Sequence, residues 1–230
     1  MFRSSIHPPG ARLLPVLVLI VVAGAQTGAG SEFLQSEFWA ELEPFVGPDI
    51  GTGGWDRGDA AQRALELARR SFSGMVYGYD VVYRPADPDR GVERRSSVQL
   101  RGELPWGDRN LTIRDTRETE SRLFIDVRYD MDDAQARYRS GFRGASVSRA
   151  GGEGSAGIHG GPEAVHDALE SAIVDAVHRY ARSRHRSRPA EIEARVLLER
   201  PPVFGMSGGS YRVRVRAMVV LDTIRSYEVF

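Results

Sequence analysis

PEAVHDALESAIVDAVHRYAR, running from Pro162 to Arg182, is the stretch whose reading decides the fold. Val165, Leu169, Ala172, Ile173, Ala176, Val177 and Tyr180 recur at three-and-four spacing, while Glu163, Asp167, Glu170, Asp175 and Arg179 face elsewhere. That pattern predicts an amphipathic helix with one oily side. Downstream, the chain alternates in strand fashion: Ile192, Ala194, Val196 and Leu198 against Glu193, Arg195 and Leu197, then Tyr211, Val213, Val215, Ala217, Val219 and Leu221 against Arg212, Arg214 and Arg216. The helical stripe therefore has a sheet to lie on. Pro201-Pro202 and Gly208-Gly209 bracket a loop between those strands, and Ile224 to Phe230 reads as a last strand.

The same order is written upstream. Ala61, Ala64, Leu65, Ala68 and Phe72 make a narrower stripe in a helix over Ala60 to Phe72, capped by Asp59 and ended by Gly74. Met75, Tyr77, Tyr79, Val81 and Tyr83 then share one face of a strand, a second strand spans Ser96 to Leu104, and a third begins at Leu111 and Ile113. Leu123, Ile125, Val127 and Tyr129 mark a fourth, and a short helix comes next over Asp132 to Tyr138. Residues 141–161 are rich in glycine and read as a flexible connection. The expected fold class is α+β, with amphipathic helices packed on antiparallel sheet, arranged as two similar α-β-β-β units at 59–140 and 162–230.

Residues 1–25 stand apart as a signal peptide: Arg3 and Arg12 are the basic region, Leu13 to Val22 the apolar run, and Ala23-Gly24-Ala25 the small-residue cleavage site. The run falls short of the ~20 residues of a spanning helix, so no transmembrane span is expected once it is removed. Residues 26–58 read as an arm and linker. Within the arm, Leu34, Phe38, Leu42 and Phe45 fall on one helical face, which predicts about three turns of amphipathic helix limited by Pro44.

Across 230 residues, Lys+Arg and Asp+Glu are both 31, every strong cation being arginine. This balance gives no reason to expect nucleic acid as partner. The absence of cysteine leaves an exported chain dependent on its core, which suits a bacterial periplasm or exterior.

The tempting motifs do not survive their context. Gly152-Glu153-Gly154-Ser155-Ala156-Gly157 matches a dinucleotide fingerprint, but no strand signal runs into it and the helix begins several residues late. Gly205-Met206-Ser207-Gly208-Gly209 matches a nucleophile elbow, yet it leads into a strand and the last histidine, His185, lies upstream. The histidines have no metal-ligand spacing. No catalytic residue, metal or cofactor is assigned.

Residues 58–72, GDAAQRALELARRSF, together with residues 75–83, MVYGYDVVY, give a layout of export leader, alanine-rich helix and strands. In that layout the chain resembles the small exported accessory proteins of bacterial envelopes and flagellar basal bodies. The resemblance implies a periplasmic or extracellular protein that assembles with another envelope protein.

The expected function is therefore non-catalytic binding of an envelope partner, through Phe38 and Trp39 of the arm or through the strand face of Tyr77, Tyr79 and Tyr83. The run Arg179 to Arg188 adds an anionic ligand as a candidate, with Arg182, Arg184 and Arg186 as its contacts. The alternative is a periplasmic enzyme or ligand-binding domain whose site gathers Asp80, Glu103, Asp126 and the arginines of strand 211–221.

Overall fold

A computed structural model describes residues 32–43, 56–143, 147–185 and 188–227. Residues 1–25, expected to be a signal peptide, the rest of the 26–58 segment including Phe45, and Arg186 and Phe230 lie outside the described residues. The fold is α+β, with three α-helices on two antiparallel sheets among the described residues.

The first surprise is the arm. Phe33–Glu41 is not a helix but a strand, β1, paired antiparallel with the later strand β5 (Arg122–Asp130). Leu34, Phe38 and Ala40 point into the core while Phe33, Gln35 and Glu37 point out. The spacing of four between Leu34 and Phe38 is two strand repeats as well as about one helical turn, so the apolar pattern fits both periods. The edge strand β4 (Leu111–Glu118) completes this three-stranded sheet in the order β1-β5-β4.

Helix α1 (Arg57–Val76) starts at Asp56, whose side chain accepts from the Asp59 amide while the Asp59 carboxylate accepts from the Asp56 amide, a reciprocal capping box. It runs past Gly74, where the Tyr79 ring lies so close that a Cβ would collide with it. The helix instead gives way at Gly78, whose φ of 79° is open to glycine. The strand expected from Met75 is therefore shorter: β2 spans Tyr79–Arg84. The C-terminal half of α1 is buried almost all round, because it packs on β1 and β5 of one sheet and also along β7 (Pro189–Leu198) of the other. Ser73 Oγ accepts from the Leu104 amide at 3.0 Å and Arg69 Nη1 donates to the Leu104 carbonyl at 2.7 Å, which fastens the loop after β3 (Arg95–Leu100) to the helix.

The second surprise is the glycine-rich connection. After helix α2 (Asp133–Arg143) it contains a ten-residue strand, β6 (Ser148–Gly157), paired along its whole length with the long strand β9 (Ser210–Ser226). Helix α3 (Ala164–Arg184) lies directly on it: a Cβ on Gly152 would meet the Ala172 carbonyl, and one on Gly154 the Ala168 carbonyl. These glycines are there for close approach of helix to strand, not for flexibility. The loop expected after Pro202 also holds a strand, β8 (Val203–Ser207), joined to β9 by Gly208-Gly209 with both φ values positive.

The larger sheet runs β3-β2-β7-β9-β6, with β8 beside the first half of β9. Strands β2 and β3 come from the first half of the chain and β7 from the second, so the β2–β7 pairing joins the two sequence units into one sheet. The described residues belong to one compact unit, with a single apolar cluster at its centre.

Candidate functional site

The end of β1, the first turns of α1, the first turn of α3 and the start of β9 enclose a cavity of about 410 Å³. Trp39, Glu41, Arg63, Trp106, His166 and Tyr211 give it its chemistry. Trp39 stacks on Tyr211 with ring centroids 6.3 Å apart and carries the Arg122 guanidinium 4.1 Å from its own centroid. Trp106, in the loop after β3, is 51% exposed and is partly covered by the Arg69 guanidinium.

Two polar side chains of this cavity are more than nine-tenths buried. Glu41 closes β1, and its Oε1 is buried without a hydrogen-bond partner. His166 sits in the first turn of α3 with Nδ1 in the same condition. A buried polar atom left unpaired costs about 1–3 kcal/mol, and two around one cavity mark a place built for something that bonds to them.

The electrostatics agree. Burial, reinforced by the nearby Arg70 cation, pulls the His166 imidazole below its ordinary value and keeps it neutral at pH 7. Burial and then the Glu41 carboxylate push the Tyr211 phenol up, so it stays protonated. Arg63 donates to the Glu41 backbone carbonyl, and burial holds its guanidinium below the usual range. Burial alone would raise the Glu66 carboxyl, but the guanidiniums of Arg69 and Arg70 outweigh it and leave it low. Glu66 is thus already satisfied. Glu41 already meets the Tyr211 side chain and interacts with Arg63, so what remains for an occupant is its Oε1, with exposed Asp59 and Glu163 at the edge, between aromatic walls. Carboxylate and aromatic face together suit a cation carried on an apolar stem.

The residues singled out from sequence are distributed differently. Trp39 is in the cavity, but its neighbour Phe38 is fully buried, in edge contact with Phe72 at 5.4 Å. Tyr77, Tyr79 and Tyr83 do not share an open face. Tyr77 precedes β2 and its hydroxyl accepts from Gln135 Nε2 at 2.8 Å, whereas Tyr79 and Tyr83 are buried on the covered side of the sheet. Arg182 and Arg184 are exposed in the last turn of α3, and Arg186 lies outside the described residues. The polar set of the alternative reading is not gathered in one place: Asp80 pairs with Arg101, Glu103 with Arg69, Arg216 with Glu199, and Asp126 accepts from Gln35. Arg212 and Arg214 line a separate groove with Glu153.

Among the described residues no cluster of three or more histidine or carboxylate side chains is arranged to hold a metal, and no helix is long and apolar enough to cross a membrane. A protein-family model that carries no functional description matches residues 21–227. An uncharacterised protein of Treponema pallidum (strain Nichols) is 23% identical over 202 residues, covering 88% of this chain and 85% of its own length. No solved structure matches the chain.

Proposed function

The chain belongs to an uncharacterised protein family, and from that premise we propose that it is an exported, non-catalytic bacterial envelope protein that acts by binding a partner protein through the Trp39–Trp106 cavity. The occupant is an arginine or lysine side chain of a partner envelope protein, its alkyl stem between the indoles and its cationic head on Glu41. One observation carries this reading: Glu41 Oε1 and His166 Nδ1 are both buried, both without partners, and both on the same aromatic-walled cavity. Its volume lies at the low end of the range for ligand pockets, about 300–1,000 Å³, which suits an inserted side chain better than a large cofactor. Export is supported by the leader pattern of residues 1–25.

Titrating the protein with a short arginine-containing peptide and monitoring tryptophan fluorescence tests the occupant. A saturable change is expected, weakened about tenfold or more in Glu41→Gln, because a charge-assisted bond is worth roughly 1.5–3 kcal/mol. A glutamate-for-arginine peptide is expected to give no saturable signal. No response to the arginine peptide, or an unchanged affinity in Glu41→Gln, would contradict the reading.

A further inference from the structure

A second concavity, of about 450 Å³, lies at the other end of α3, where Tyr83, Arg94, His178, Arg182, His185 and Arg188 face one another. It is separate from the cavity around His166: from that residue to His178 the helix alone rises about 18 Å. Among the described residues, three guanidiniums and two imidazoles line it, and no carboxylate does.

The convergence is tight around one ring. The Arg94 guanidinium lies 5.5 Å from the Tyr83 centroid, and the His178 imidazole meets the same ring edge-on at 5.3 Å. Most arginines along the larger sheet are spoken for, as Arg195 is by Asp222 and Arg225 by Glu193. Arg94 and Arg182, in contrast, have no ion-pair partner among the described residues. Arg188 reaches only Asp87 Oδ1, at 3.5 Å, and the other oxygen of that buried carboxylate is already held by Arg90 at 2.9 Å.

Helix capping accounts for part of this charge, since cations in a last turn offset the macrodipole. It does not account for Arg94, which comes from the segment between β2 and β3, nor for Arg188, which comes after the helix. Like charges brought together from three segments without a counter-charge in the lining repel one another, and an oxyanion between them removes that repulsion. Burial, then Arg182, lowers the His178 pKa, as expected for an imidazole in a positive field.

We propose that this concavity binds a phosphate group, with Arg94 and Arg182 as its principal ligands and Arg188 and the two histidines around it. Planar guanidiniums match phosphate oxygens in pairs, which compact ammonium groups do not. The phosphate can be free in solution or the headgroup of an anionic phospholipid.

Calorimetric titration with inorganic phosphate, together with flotation on phosphatidylglycerol and on phosphatidylcholine vesicles, tests the site and separates the two sources. Saturable phosphate binding without flotation assigns the site to a soluble phosphate, and flotation on phosphatidylglycerol alone assigns it to a headgroup. In either case the Arg94→Gln/Arg182→Gln double variant is expected to lose about tenfold or more in affinity, with its circular dichroism unchanged. Arg212→Gln/Arg214→Gln, in the separate groove with Glu153, is expected to leave binding intact. The proposal is overturned if neither probe binds, or if the Arg94/Arg182 variant binds as the parent does.

Discussion

Glu41 Oε1 and His166 Nδ1 are both buried without a protein partner at the same cavity. His166 also ties the fold to pH. Its folded pKa is depressed, so near the ordinary imidazole value of about 6.5 the unfolded chain binds a proton that the folded chain refuses. The stability at stake is therefore whole above about pH 6.5 and is lost as pH falls from there through the folded pKa. His178, lowered by burial and by Arg182, acts in the same direction. Thermal unfolding is expected to show Tm falling between pH 7 and pH 5, with a shallower fall in His166→Gln. An equal slope in the variant would deny His166 this role. Little of the site was legible beforehand. Trp39 stood out as an aromatic, but Glu41, His166 and Tyr211 come from three elements far apart in the chain, and each looks ordinary where it stands.

Among the elements, α3, β5, β7 and the part of β9 up to Leu221 were legible because their apolar residues keep one period over many positions, whereas the separate strand expected from Ile224 is the continuation of β9 to Ser226. Two strands were hidden for opposite reasons. In β1 the large residues fit two periods at once, and only the pairing with β5 decides between them. In β6 the inward positions are Ser148, Ala150, Gly152, Gly154 and Ala156, all small, with Gly152 and Gly154 against the α3 backbone, and a strand with no large apolar side chain looks like a linker. That packing makes a sharp prediction. Gly152→Ala or Gly154→Ala overpacks the helix–strand contact, at a cost of about 1–3 kcal/mol or more. Gly157, with open space around its Cα, is the control. Tm is expected to fall by several degrees in the first two variants, at about 2–4 °C per kcal/mol for a body of this size, and to stay put in Gly157→Ala. Equal tolerance at all three positions would mean that α3 does not sit as closely on β6 as described.

At the scale of the whole molecule, the sequence order predicts two similar helix-then-strands units, but the strands of the first are divided between the two sheets, and the halves share one of them. The β2–β7 pairing carries the first half into the second, and Arg139 of α2 spans the same divide, reaching Glu32 at 3.0 Å and the Glu199 carbonyl at 3.1 Å. The cavity depends on that union, since Glu41 and Arg63 belong to one half and His166 and Tyr211 to the other. The proposed export would place this body where an envelope partner can reach it. N-terminal sequencing of the protein from envelope fractions is expected to begin at Gln26, and recovery of intact Met1 in the cytosol would remove the export proposal. The binding claim itself is tested most directly by replacing exposed Gln62, at the cavity edge, with a photo-crosslinking amino acid in living cells and mapping the captured peptide. A partner segment with an arginine or lysine at the crosslink, captured far less in a Glu41→Gln background, is the predicted result. Capture that is indifferent to Glu41, or segments with no basic residue at the crosslink, would contradict it.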